Sequence, residues 1–229
     1  MEPQEPKNEI KEELPKQDKS EDKNTNNNSQ NVQKEEPSIQ TFELGDERHP
    51  VDPEAEEIEY IGERIKALDH LEKCTKLKKL LLRRNVIKKI ENISHLTQLK
   101  ELELYDNQLS KIEGLEKLVN LKELYLSQNF IEKIEGVDKL VNLEILDLAF
   151  NKISKLENIE TLSQLTDLWL NNNNISDPHD LEMLKFVPKV TTVYFWKNPV
   201  ADIPSYRQII QEYLKDIEQI DSTIIKTNY

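Results

Sequence analysis

The sequence predicts an α/β solenoid: a concave sheet of short parallel strands, built from 22-residue repeats and closed by a C-terminal helix. From residue 77 a leucine pattern recurs at that fixed interval. One asparagine keeps the same place in each copy, and beyond residue 199 the repeat gives way to apolar residues at helical spacing. A single unit of this length cannot bury its own leucines, but stacked units share a continuous core.

Residues 1–50 come first and read as a disordered, acidic, polar tail. They hold one aromatic, Phe42, and stretches such as "KNTNNNSQNVQKEEP". Such composition buries too little apolar surface to offset chain entropy. Residues 51–198 read as about seven repeats. The first is degenerate: Ile58, Tyr60, Ile65, Leu68 and Leu71 keep apolar positions, while Glu63 stands where later copies have asparagine.

Then come "LKKLLLRRNVIKKIENISHLTQ", "LKELELYDNQLSKIEGLEKLVN", "LKELYLSQNFIEKIEGVDKLVN" and "LEILDLAFNKISKLENIETLSQ". A fifth copy, "LTDLWLNNNNISDPHDLEMLKFVPK", is three residues longer, and "VTTVYFWKNP" opens another. Asn85, Asn107, Asn129, Asn151 and Asn173 are spaced by 22, with Asn198 following after 25. This is the leucine-rich repeat, LxxLxLxxNxL. An asparagine suits the turn after each strand because its amide both donates to and accepts from the backbone.

Residues 199–229 read as the cap. Tyr206, Ile209, Ile210, Tyr213, Leu214 and Ile217 fall on one helical face, with Pro204 near the helix start and Ser205 as its N-cap.

Charge and chemistry narrow the function. The net charge is −13, and residues 1–57 carry 17 acidic against 7 basic side chains. The rest is nearly balanced, which speaks against nucleic acid as a partner, since a phosphate-binding surface needs excess Lys and Arg. Cys74 is the only cysteine and aligns with core leucines. It reads as a core residue in a reducing compartment. The start lacks the apolar run of a secretory signal, and no stretch reaches membrane-span length. The expectation is a protein of cytoplasm and nucleus, with no membrane contact. His49, His70, His95 and His179 are scattered, and no phosphate loop or nucleophile motif occurs. No cofactor, metal site or enzymatic activity is expected.

The outward strand positions remain. One row reads Leu81, Glu103, Tyr125, Asp147, Trp169, Tyr194, and a second reads Lys79, Glu101, Glu123, Ile145, Asp167, Thr192, with Trp196 just past the last strand. A solvated sheet face has no need of aromatics in one register. Clustered Tyr and Trp mark a surface that a protein partner buries, and the interleaved carboxylates select a partner with basic groups.

At these residues the chain resembles the SDS22-type leucine-rich-repeat regulatory subunit of protein phosphatase 1. The resemblance spans residues 51–229 and rests on "VDPEAEEIE", "ELELYDNQ", "KIEGVDKL", "LWLNNN" and "VYFWKNP…SYRQ…IEQIDSTIIK". It implies a non-catalytic protein, monomeric outside its complex, whose concave acidic and aromatic side chains bind the phosphatase catalytic subunit and modulate its activity. By motif match Asp147, Asp167, Trp169 and Tyr194 take those roles. Glu103 and Tyr125 hold equivalent strand positions, and Glu101 and Trp196 complete the outward set. Members of that type usually carry a longer array, as though middle repeats were missing here. No basic-Val-x-Phe docking peptide occurs, so docking falls to the folded surface. A structural scaffold of similar repeat type, like a ciliary dynein light chain or a splicing-particle subunit, is the alternative.

Overall fold

The computed structural model describes residues 40–225. Nine short strands follow one another in chain order across one sheet: β1 (Glu57–Glu59), β2 (Lys79–Leu81), β3 (Glu101–Glu103), β4 (Glu123–Tyr125), β5 (Ile145–Asp147), β6 (Asp167–Trp169), β7 (Thr192–Tyr194), β8 (Gln219–Ile220) and β9 (Thr223–Ile224). Neighbours from β1 to β8 pair in parallel, and β9 folds back antiparallel on β8. Each 22-residue step returns the chain to the same register, so Leu80 stands opposite Leu102 and Leu146 opposite Leu168.

The strand period of two sends the middle residue inward and its neighbours outward. Ile58, Leu80, Leu102, Leu124, Leu146, Leu168, Val193 and Ile220 form one inward row, and all are buried. Leu82, Leu104, Leu126, Leu148, Leu170 and Phe195 form a second, and isoleucines and leucines of the return segments close against both. Fully burying one such side chain contributes about 1.5–3 kcal/mol. Cys74 is buried in this core, and burial pushes its thiol pKa up.

The asparagines bind consecutive turns together. Asn129 Oδ1 accepts the Leu109 N–H at 2.9 Å, while its Nδ2 donates to Leu104 O at 2.9 Å and Leu126 O at 3.0 Å. Asn85, Asn107, Asn151, Asn173 and Asn198 bond in the same way. One residue before each asparagine the backbone turns left-handed, at Arg84, Asp106, Gln128, Phe150, Asn172 and Lys197. A second left-handed position recurs in the return segment, where Gly114 and Gly136 sit. A Cβ at Gly136 would lie 2.6 Å from Ile112 O, which shows why backbone geometry selects glycine there.

Both ends differ from the sequence expectation. The tail is expected to reach residue 50, but residues 42–49 are ordered against the first repeat. Phe42 N–H donates to Arg64 O and Phe42 O accepts from Lys66 N–H, which joins this segment to the first repeat. Leu44 is fully buried, and His49 is 2% exposed between Asp46 and Glu63, edge-on to the Tyr60 ring. The segment covers the open end of the core, as a terminal unit must. Residues 1–39 of the expected tail lie outside the described residues.

At the other end, helix α1 spans only Tyr206–Tyr213. Leu214 and Ile217 are buried as expected, but from the turn that leads into β8. Ser205 occupies the N-cap position expected of it, but makes no side-chain hydrogen bond there, its backbone being already helical at φ −88°, ψ 0°. The three extra residues of the fifth repeat open into a 3-10 segment, Pro178–Phe186, started by Asp177, whose carboxylate accepts from His179 N–H.

Candidate functional site: the concave face

The outward rows of β1–β7 form the concave face, in the register expected from the repeat. Their side chains nevertheless differ in what they leave free. Toward the N-terminal end the acids are engaged inside the chain. Glu101 pairs with Lys79 at 2.5 Å, and this contact holds the lysine pKa above its ordinary value. Glu103 pairs with Arg83 at 3.3 Å, and Arg83 also reaches Glu59 at 3.7 Å. Both glutamates are expected contact residues, and both are already neutralised by cations on β2 and just after it.

Over β4–β7 the face is aromatic. The rings of Tyr125 and Trp169 lie 6.3 Å apart and tilted by 50°, and Trp169 and Tyr194 lie 6.0 Å apart at 54°. These are attractive tilted geometries for rings with edge and face of opposite charge. Trp169 and Tyr194 are direct neighbours in register. Tyr125 is two strands from Trp169, so their contact spans β5. The outward β5 residue at that level is Asp147.

This explains a departure from the sequence reading. Asp147 is expected as an exposed contact, yet it is only 7% exposed. It accepts hydrogen bonds from Ser127 Oγ and from Ala149 N–H at 3.0 Å. Burial is the largest influence on its carboxyl and raises its pKa, against the lowering effect of those two donors. Asp147 is therefore held within the face by Ser127 and Ala149 and offers little of itself to a partner.

Polar partners fix the tyrosines. Tyr125 Oη donates to Glu123 Oε2 at 2.8 Å, and burial together with that contact drives its pKa up. Gln219 Nε2 donates to Tyr194 Oη at 2.7 Å, which ties the cluster to β8. Beside the rings runs the other outward row, with Glu123, half-buried Ile145 and Asp167 on β4, β5 and β6. Glu123 and Asp167 take part in no ion pair among the described residues, and Asp167 accepts from Thr166 Oγ1 at 2.8 Å. Trp196 lies past β7, 39% exposed, with Lys197 Nζ 4.9 Å from its ring centroid.

A residue that the repeat pattern leaves unremarked completes the C-terminal end. Asp221 is 5% exposed and accepts from Phe195 N–H at 2.8 Å, Trp196 N–H at 2.9 Å and Tyr206 Oη at 3.0 Å. Its carboxylate takes the Phe195 N–H, whose equivalents Leu148 and Leu170 donate to a backbone carbonyl of the next strand. The sequence signal is the pairing of "SYRQ" with "IEQID", because one supplies the tyrosine and the other the carboxylate.

The arrangement offers a surface for binding. Among the described residues no group of three or more His, Cys, Asp or Glu side chains converges to hold a metal ion, and no helix is long and apolar enough to cross a membrane.

Two leucine-rich-repeat families match the sequence: a two-copy leucine-rich-repeat unit over residues 97–139, and a leucine-rich repeat over residues 123–228. No curated protein matches the chain. Among solved structures it is similar to an internalin (inlF) of Listeria monocytogenes, with a TM-score of 0.63 and 25% identity over 76% of this chain and 47% of that one. The chain thus spans about half that internalin's length. An internalin C2 from the same organism gives a TM-score of 0.56 at 24% identity, over 72% of this chain and 79% of that one, and shows the fold alone.

Proposed function

From a leucine-rich-repeat solenoid, a protein-interaction scaffold, we propose a non-catalytic regulatory subunit that binds the protein phosphatase 1 catalytic subunit on its concave face and modulates its activity. One observation carries this reading. The Tyr125–Trp169–Tyr194 cluster lies on the open face of the sheet, flanked by carboxylates of Glu123 and Asp167 that are in no ion pair among the described residues. Clustered aromatic anchors beside uncompensated acids fit a partner surface of apolar pockets ringed by basic groups. The resemblance of "LWLNNN" and "VYFWKNP" to the phosphatase-regulator type supports that partner, since those stretches supply Trp169, Tyr194 and Trp196.

Glu123, Asp167, Trp169 and Tyr194 form the central contacts in this reading. Trp196 extends them toward the cap, Glu101 and Glu103 act within the chain, and Asp147 is taken up by Ser127 and Ala149. The test is recovery from cell extract. The full chain should co-purify the phosphatase catalytic subunit. Axonemal or spliceosomal proteins in its place would turn the assignment to a structural scaffold.

A further inference from the structure

A second surface lies on the outer side of the solenoid, beyond the asparagine ladder. Here a cleft of about 490 Å³ is lined by Lys88, Lys89, Lys111, Glu113 and Phe130 among others. The repeat pattern forces the lysines outward. Lys88 and Lys89 stand between buried Ile87 and Ile90, and Lys111 precedes buried Ile112. Phe130 lies between buried Asn129 and Ile131, yet it is 49% exposed. The same place in other copies holds Val86, Gln108, Lys152 and Asn174. Lys152 Nζ stands 5.2 Å from the centre of the Phe130 ring and adds a fourth cation to the rim.

Two features distinguish this cleft from an ordinary solvated flank. Among the described residues, none of the four lysines is in an ion pair, and Glu113 is the only acid on the lining. At another repeated position Lys78 pairs with Glu56 at 2.7 Å and Lys122 with Glu144 at 2.6 Å, although Lys100 between them is in no ion pair among the described residues. Four such lysines around one exposed ring make a local cationic patch on an otherwise nearly balanced repeat region. The chemistry is also opposite to that of the concave face, which carries free carboxylates. The two surfaces therefore select different partners.

We propose that this cleft is a second docking site and takes a short acidic peptide segment of another protein. One apolar side chain of the segment packs on Phe130, and carboxylates on either side face Lys88, Lys89 and Lys111. The desolvated ring supplies affinity and the lysines supply selectivity and salt dependence. A protein with both surfaces occupied brings the bearer of the acidic segment to whatever binds the concave face. The proposal stands independently of that face's partner.

The experiment is calorimetric titration of the full chain with two synthetic peptides of Asp and Glu. One has a central leucine and the other a serine at that place. The leucine peptide should bind, and raised salt should weaken it. Lys88→Glu with Lys111→Glu should weaken it by about tenfold or more. Phe130→Ser should weaken the leucine peptide by about fivefold or more and leave the serine peptide unchanged. All three side chains are exposed, and thermal melts confirm that each variant is folded. Absence of binding by the wild-type chain overturns the proposal, as do unchanged affinities in the variants. Equal binding of both peptides, or of a thymidine oligonucleotide of matching charge, also overturns it by showing a general anion patch.

Discussion

Asp147 and Phe150 break the rule of their repeat positions, each for a different physical reason. The repeat places Asp147 in an outward row, and the sequence makes it a contact residue. It is buried where the Tyr125–Trp169 contact spans β5 and where Ser127 and Ala149 bond to it, lateral contacts that strand periodicity does not encode. Because burial raises its pKa, the folded protein holds this proton to higher pH than the unfolded chain does. The group therefore favours folding most at low pH. That advantage is lost as pH rises from the ordinary aspartate range through the raised folded value, above which a desolvated carboxylate remains. Asp147→Asn keeps an acceptor for Ala149 N–H. Its melting temperature relative to wild type should be most favourable near pH 7, and the difference should shrink toward acid pH. Phe150 adopts φ +53° at the left-handed position where other copies carry Arg, Asp, Gln, Asn or Lys, and it is 45% exposed. Asn tolerates that conformation better than a bulky aromatic residue. Phe150→Asn should therefore stabilise the fold by about 1 kcal/mol in denaturant titration.

At the scale of elements, the strands were legible because a 22-residue period and a period of two both had to be satisfied by leucine. Their register follows with no further information. The ends were less legible because each cap occurs once and has no repeat to average over. The acidic composition up to residue 50 hides Phe42, Leu44 and His49, which act through specific contacts with Arg64, Asp46, Glu63 and Tyr60. The C-terminal apolar spacing predicted a longer helix, but burial of Leu214 and Ile217 is achieved by a turn that leads into β8. The N-terminal cap makes a clear prediction. Leu44→Ala should lower stability by about 2–5 kcal/mol, because it empties a fully buried site against the first repeat. Unchanged thermal unfolding would mean that residues 42–50 contribute nothing to the solenoid.

For the whole molecule, the proposed docking of the phosphatase catalytic subunit falls on the ring cluster of β4–β7. The fold and the identity of most face residues could be read from the sequence. Which acids remain free could not, because pairing of Glu101 with Lys79 and of Glu103 with Arg83 depends on lateral neighbours and side-chain reach. Trp169 lies on the face, half-buried between Tyr125 and Tyr194, while its neighbour Leu168 is fully buried in the core. Leu168→Ala should lose about 2–5 kcal/mol of stability. The most direct measurement is calorimetric titration of Trp169→Ala and of the wild-type chain with purified protein phosphatase 1 catalytic subunit, with thermal melts alongside. The expected result is binding by the wild-type chain, weakened by about 2 kcal/mol or more in a variant that still unfolds cooperatively and loses no more stability than its two ring contacts, about 1–3 kcal/mol. Wild-type affinity in Trp169→Ala would contradict the assignment of this face.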